Sequence, residues 1–139
     1  MRSVFGDMTR ALDAPGRGAS VLLEAGLRRA WSYWLGDEFG RMFRLMFAEV
    51  RAEHPALFET WLAEGPLHGW GVIGQLIEAG KAAGEFRADV DAEVAARLIT
   101  CGLAFQAVLQ EHLGAGVVPR LDTEHVFRAT LDLYMRGLK

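Results

Sequence analysis

A tight corner between two helices, within residues 78–98, most constrains how this chain can fold. Gly84 supplies a residue of the kind that commonly ends a helix at positive φ, and Phe86 follows where an apolar side chain can fold back over that helix end. Asp89 and Asp91 then offer side-chain acceptors to the free amides that begin the next helix. The stretch therefore predicts one helix that ends, a short turn and a second helix that begins.

Apolar residues recur at helical spacing along nearly the whole sequence, and no segment shows the alternation typical of a strand. We expect an all-α fold of about five to seven helices, in one domain over residues 1–139. The expected helices are a short one built on Val4, Phe5, Met8 and Leu12, one that Ser20 caps and Gly36 ends, one on the stripe from Phe39 to Val50, one from Pro55 to about 83, one over about 91–113 and one over about 123–138. Gly65 and Pro66 predict that the fourth helix is kinked or split.

Composition excludes several classes of protein. The net charge is −3 and the isoelectric point is about 5.8, which argues against a nucleic-acid-binding surface spread over this chain. The single cysteine, Cys101, can form neither an internal disulfide nor a cysteine-based zinc site. The first residues lack the apolar core of a signal peptide, and no run approaches the roughly 20 apolar residues of a membrane span. We expect a cytoplasmic protein.

Catalytic and metal-binding motifs find little support in the sequence. No two of the four histidines, at positions 54, 68, 112 and 125, are three or four residues apart, as two ligands on one side of a helix would be. The two Glu-x-x-His motifs of a di-iron bundle are also absent from the sequence. Haem binding needs only one histidine, but no histidine has a distinctive helix pattern around it. Cys101 lies among apolar residues within a helix, where a small core residue is the simpler interpretation. We expect no enzymatic activity, no cofactor and no metal.

Aromatic residues and methionines are concentrated in the first half of the chain. Most of them are explained by ordinary core packing, but tryptophan and methionine also line the cavities of helical bundles. A cavity of this kind favours an apolar or aromatic ligand. Gln75, His68 and Gln106 are candidate polar anchors for such a ligand.

The fifth predicted helix carries two apolar stripes and should be buried on two sides. One stripe contains Ala95, Ile99, Gly102, Gln106 and Leu109, and the other contains Val94, Leu98, Cys101, Phe105 and Val108. The pattern fits a central helix of the bundle. It also fits a helix with one side against a second copy of the chain, which a glycine at 102 would let approach closely.

The sequence of the corner, GEFR followed shortly by DVDAEVAARL, resembles that of the effector-binding domain of TetR-family transcription regulators. The helix FRLMFAEVRAEHPAL, the segment IEAGKAAGEFRADVD and the helix AEVAARLITCGLAFQAVL carry the resemblance, which extends over about residues 20–138. It implies a homodimer that binds a small effector in the cytoplasm. It also implies that DNA is read by a helix-turn-helix domain that precedes residue 1, because the helix around residues 4–12 suits a connector better than a recognition helix.

The resemblance also assigns candidate site residues. The aromatic-rich helices would enclose the effector, with ligand-binding residues Trp31, Trp34, Met42, Phe43, Met46, Phe47, Trp70 and Phe105. The last two long helices would pair with their copies, with dimer-interface residues Ile99, Gly102, Gln106, Leu109, Phe127, Thr130 and Leu131. Three functions stay open at this point: an effector domain of a regulator, a stand-alone helical ligand-binding protein or enzyme that binds no DNA, and a packed interaction module without a cavity.

Overall fold

In a computed structural model, which describes residues 6, 10, 16–114 and 116–139, every regular element is a helix. The predicted all-α fold is confirmed. The five helices of the described residues are α1 (Ala19–Leu35), α2 (Asp37–Leu45, continued by Met46–Val50 and Arg51–Glu53), α3 (Pro55–Leu62, continued by Ala63–Leu67 and His68–Ala82), α4 (Ala92–Ala107, continued by Val108–Leu113) and α5 (Thr123–Leu138). The opening helix predicted from Val4 to Leu12 lies almost wholly outside the described residues.

Three of these helices contain a widened, π-helical turn: Met46–Val50 in α2, Ala63–Leu67 in α3 and Val108–Leu113 in α4. In α3 the turn contains Pro66, which has no amide hydrogen and whose ring crowds the preceding turn of a regular helix. Widening the helix there accommodates the ring, so α3 bends through Gly65 and Pro66 without ending. The predicted irregularity is therefore present, as a local change of winding.

The core lies where α1, the second half of α3 and α4 pack on one another, with α5 laid over α1 and α4. Leu23 and Leu27 of α1, Leu76 and Ile77 of α3 and Leu103 of α4 are fully buried. Burying one such side chain contributes roughly 1.5–3 kcal/mol relative to leaving it in water. Leu23 precedes Leu27 by four residues, and the fully buried Ile73 precedes Leu76 by three and Ile77 by four, which is the spacing that the sequence predicts for a core-facing stripe.

The corner between α3 and α4 follows the prediction closely. Gly84 has φ +76°, and the amides of Glu85 and Phe86 both donate to the carbonyl of Gly80. The Phe86 ring lies against Gly80 and is buried. Asp91 caps α4 by accepting a hydrogen bond from the amide of Val94 at 3.0 Å.

The start of α1 differs from the prediction. Ser20 lies inside the helix, and its hydroxyl donates to Glu85 at 2.6 Å. Glu85 itself caps α1, because its carboxylate also accepts the amides of Ala19 and Ser20, each at 3.0 Å. The prediction that Ser20 caps this helix was wrong, since the acceptor comes from a residue more than sixty positions away.

Polar contacts fasten α5 to the rest of the bundle. The hydroxyl of Tyr134 donates to the carbonyl of Ala95 at 2.6 Å, and burial raises the pKa of this phenol. Near the start of α5, the carboxylate of Glu124 accepts two hydrogen bonds from the guanidinium of Arg28 in α1, each at 2.9 Å. The same guanidinium lies 4.4 Å from the centre of the Phe127 ring. These contacts fix the orientation of α5 against α1 and α4.

The helix Ala92–Leu113 is long and apolar enough to span a membrane by length and composition alone, which the sequence analysis did not anticipate. It passes through the centre of the bundle, and 39% of its most apolar window is buried there. The core helix of a water-soluble protein meets the same criterion. Its composition is therefore weak evidence for a membrane span.

A methyl group at Gly80 should destabilise the fold. A Cβ at this position would overlap the buried Phe86 ring and approach the Cβ of Ala19 to 3.1 Å, whereas a Cβ at Gly71 of the same helix meets nothing within 4 Å. We expect Gly80→Ala to lower the free energy of unfolding by about 1–3 kcal/mol. The control Gly71→Ala should leave it unchanged or raise it by up to about 1 kcal/mol. Urea denaturation of both variants measures this, and equal effects would contradict the packing described for Phe86.

Replacing Glu85 should loosen the start of α1. Its hydrogen bonds, first to the Ser20 hydroxyl and then to the two amides, hold the pKa of the Glu85 carboxyl below its ordinary value. We expect Glu85→Ala to cost roughly 0.5–2 kcal/mol near neutral pH. The folded state favours the ionised form of Glu85. The difference in unfolding free energy between wild type and Glu85→Ala should therefore be complete above the ordinary carboxyl pKa, and it should shrink as the pH falls through the lowered pKa of Glu85 in the folded state. Urea melts at several pH values test this, with the exposed Glu49→Ala as control.

Candidate functional site: an aromatic cavity and an exposed apolar face

A cavity of about 230 Å³ lies between α1, α2, α3 and α4. Aromatic rings form most of its wall, and small or aliphatic residues from α3 and α4 complete it. The lining residues are Trp34, Phe39, Phe43, Phe47, Trp61, Leu62, Pro66, Gly69, Trp70, Thr100, Cys101 and Ala104. An apolar cavity of about 150 Å³ holds benzene in another protein, so this one has room for a larger aromatic molecule.

Ring contacts connect the buried end of the cavity to the surface. Phe39 and Phe43 have centroids 6.1 Å apart, and Phe43 stacks on Phe47 at 4.5 Å. Phe47 then meets Trp61 edge-on at 6.0 Å. Phe47 is 43% exposed, whereas Phe39 is buried. The cavity therefore approaches solvent near Phe47, where the π-helical turn of α2 packs against the Pro55–Leu62 part of α3.

The cavity wall contains hardly any polar group. No lining residue carries a charge, and the hydroxyl of Thr100 donates to the carbonyl of Ala96 at 2.8 Å within α4. The other polar side-chain groups among the lining residues are the thiol of Cys101 and the indole N–H groups of Trp34, Trp61 and Trp70. Such a surface binds a ligand through shape and apolar contact, and it offers no acid–base pair for proton transfer.

Trp70 separates the cavity from a second depression, a groove between α3 and α4. This groove is lined by Leu67, Trp70, Gly71, Gly74, Gln75, Glu78, Ala92, Glu93 and Arg97. The guanidinium of Arg97 lies 5.0 Å from the centre of the Trp70 ring and donates to Glu93 at 2.6 Å. The cavity thus has an apolar interior and, on the outer side of Trp70, a charged neighbour.

The side of α4 that faces away from α1 is apolar and exposed. Val94 is 50% exposed, Leu98 67% and Phe105 58%, and Leu133 of α5 is 73% exposed. We call these four residues the apolar face. Val94 and Leu98 share one surface groove with Leu133 and another with Gly102 and Phe105, and Arg97 lies at the edge of the second groove. The face therefore continues from α4 onto α5.

The predicted ligand-binding residues separate into two groups. Trp34, Phe43, Phe47 and Trp70 line the cavity. The others do not: Trp31 is in the core against Phe127, Met46 is buried, Met42 is half-buried, and Phe105 belongs to the apolar face. Of the candidate anchors, Gln75 lines the groove beside Trp70, Gln106 lies beside Phe105, and His68 is exposed.

Sequence reasoning left several cavity residues out of the site. Trp61 was missed, although it and the predicted Trp70 lie on either side of Gly65, Pro66 and Gly69 in one helix, and small residues between large aromatic ones are a signal that a cavity wall lies there. Thr100, Cys101 and Ala104 carry no such signal. Their position on the wall depends on which side of α4 turns towards α3.

The predicted interface residues are also divided by the structure. Gly102 and Gln106 are exposed next to Leu98 and Phe105. Leu109 and Thr130 are half-buried. Ile99, Phe127 and Leu131 lie in the protomer's own core, with at most 6% of their surface exposed. The stripe through Val94, Leu98, Cys101 and Phe105 is thus the outward side of α4.

The histidines show no arrangement for metal chemistry. Within residues 16–114 and 116–139, no group of three or more His, Cys, Asp or Glu side chains is close enough to hold an ion. His112 contacts the carbonyl of Trp34 at 2.7 Å through Nε2 and meets the Phe39 ring edge-on. Its imidazole fills the space above Gly40, where a Cβ would clash. His112 therefore holds α1, α2 and α4 together beside the cavity.

The described residues form a helical bundle with an apolar cavity and an exposed apolar helix face, and comparison with known families assigns this fold to a class. The family described as AefR-like transcriptional repressor, C-terminal domain, matches residues 21–137. The chain therefore belongs to this family of TetR C-terminal domains, as the sequence resemblance predicted. Members of such families act as regulators and are generally not enzymes. Searches of curated proteins and of solved structures gave no match.

Proposed function

We propose that this chain senses a small aromatic molecule and forms a homodimer, as the effector domain of a cytoplasmic transcription regulator. The cavity wall carries the proposal, because it combines five aromatic rings of α2 and α3 with uncharged residues of α4: the rings are Phe39, Phe43, Phe47, Trp61 and Trp70. The chain's family supports a regulatory role. DNA contact belongs to a helix-turn-helix attached on the N-terminal side of this domain.

The expected mechanism is a shift between two geometries of the dimer. A ligand that binds one geometry more tightly increases its population, and the shift cannot exceed its difference in affinity for the two. Helix α4 contributes residues to both the cavity wall and the apolar face. Thr100 and Ala104 contact the ligand space, whereas Leu98 and Phe105 of the same helix point to the proposed partner. A movement of α4 that accommodates a ligand would therefore also move Leu98 and Phe105 at the proposed dimer contact.

The apolar face suits a second copy of the chain. A two-fold interface needs a surface that is complementary to itself. Here Leu98 and Phe105 stand out beside a groove whose floor is Gly102, where even a Cβ would meet nothing within 4 Å. Large apolar side chains and the groove that receives them thus lie on one surface. Monomeric proteins rarely leave contiguous apolar patches of this kind in water.

Ligand binding can be tested with naphthalene, which matches the aromatic lining. We expect naphthalene to quench tryptophan fluorescence and to raise the melting temperature of the wild-type domain, since a ligand at 100 times its Kd adds about 2.7 kcal/mol of stability. Ala104→Phe fills the cavity with a ring and should abolish both effects. Ala79→Phe places the same ring on the exposed side of α3 and should bind as wild type. A wild-type domain indifferent to naphthalene and to larger aromatic hydrocarbons would contradict the proposal.

Dimer formation can be tested by placing a charge on the apolar face. We expect the wild-type domain to be a dimer at micromolar concentration and Leu98→Glu to be a folded monomer, because an unpaired carboxylate is costly to bury in an interface. Val117→Glu is a matched control, since Val117 is 86% exposed and belongs to the loop after α4. Light scattering gives the mass and circular dichroism the helix content. A wild-type monomer, or a Leu98→Glu dimer, would place the proposed interface elsewhere.

A further inference from the structure

We infer that the effector is an aromatic carboxylate whose ring occupies the cavity and whose carboxylate is bound by Arg97 at the cavity rim. The inference rests on the proposed ligand-binding function and specifies the chemical class of ligand. It assigns to Arg97 a role in ligand selection.

Arg97 lies next to the cavity by two independent routes. On α4 it precedes Thr100 by three residues and Cys101 by four, and both of these line the cavity. Residues at these spacings are neighbours on one side of a helix. Across the groove, the guanidinium of Arg97 lies 5.0 Å from the centre of the Trp70 ring, and Trp70 forms part of the cavity wall. Cys101, which is exposed, also lines the surface groove to which Arg97 belongs, so a charged group lies where the otherwise uncharged cavity reaches the surface beside Trp70.

The contacts of Arg97 leave it suited to bind a carboxylate. The guanidinium carbon of Arg97 lies over the Trp70 ring, and the N–H groups of a guanidinium match the two oxygens of a carboxylate. One carboxylate already occupies this position, because Glu93 accepts from Nη2 at 2.6 Å. Both side chains are more than half exposed, so the pair contributes little stability. A ligand carboxylate can therefore replace that of Glu93 at low cost.

The existing contacts of Arg97 are easier for an anion to displace than for a cation. The second carboxylate of the groove, Glu78, pairs with Lys81 at 3.1 Å, and Lys81 also donates to the carbonyl of Val90 at 2.8 Å. A cationic ligand at Trp70 would have to displace Arg97 from both the ring and Glu93. An anionic ligand displaces only Glu93 and leaves Arg97 on the ring.

The test compares ligands that share a ring system: naphthalene, naphthoate and naphthylmethylammonium, each titrated by tryptophan fluorescence. We expect naphthoate to bind wild type about tenfold more tightly than naphthalene, and the ammonium ligand to bind no better than naphthalene. Arg97→Gln should remove the naphthoate advantage while leaving the naphthalene Kd unchanged. Arg87→Gln makes the same charge change on the loop before α4, where Arg87 pairs with Asp89, and should behave as wild type.

A second variant separates recognition from a structural role of Arg97. Glu93→Gln removes the competing carboxylate, so naphthoate should bind severalfold more tightly while naphthalene is unaffected. A purely structural role for the pair would change both ligands alike. If naphthalene binds but naphthoate shows no advantage, or Arg97→Gln leaves the ratio unchanged, the inference is overturned and the proposed function stands. If naphthalene, naphthoate and larger aromatic hydrocarbons all fail to bind wild type, the proposed function itself fails.

Discussion

Helix α4 has apolar side chains around more of its circumference than one protomer can cover, and the rest of the structure depends on this imbalance. Ala96 and Leu103 are fully buried against α1 and α3. Thr100 and Ala104 face the cavity. Leu98 is two-thirds exposed. The hydrophobic effect favours the burial of apolar area on every side of the helix. One side of α4 is buried in the core, a second faces the proposed ligand and a third faces the proposed partner.

The sequence predicted the ends of the helices well, because local chemistry determines them. Gly84 adopts the positive φ expected of it, Pro55 begins α3, and Asp91 and Asp122 each accept a hydrogen bond from an amide three residues on. Each of these features depends only on near neighbours in the chain. The Glu85 cap of α1 does not, because its carboxylate comes from a distant corner. No local pattern at Ser20 distinguishes a capping serine from one that donates to such a carboxylate.

The direction in which α4 faces is the part that the sequence left open. Leu98 and Ile99 are adjacent and both apolar, so helical periodicity supports either stripe as the buried one. In the structure Ile99 is in the core and Leu98 faces outward. The choice is made by packing, because α4 lies against the second half of α3 and buries Ile99 in the bundle. For the same reason Thr100 and Cys101 were not recognised as part of the cavity wall.

The distribution of polar groups decides between binding and catalysis at this cavity. A reaction needs an acid, a base or a nucleophile within hydrogen-bond reach of the reacting atom. The Thr100 hydroxyl is occupied by the carbonyl of Ala96, and the remaining wall is almost entirely hydrocarbon and aromatic ring. Charge begins only at the rim, where Arg97 lies on the outer side of Trp70. An apolar interior with a charged residue at its edge suits the proposed sensor, which has to discriminate between ligands by shape and head group, and the helix that carries Arg97 also carries the face proposed to meet the partner.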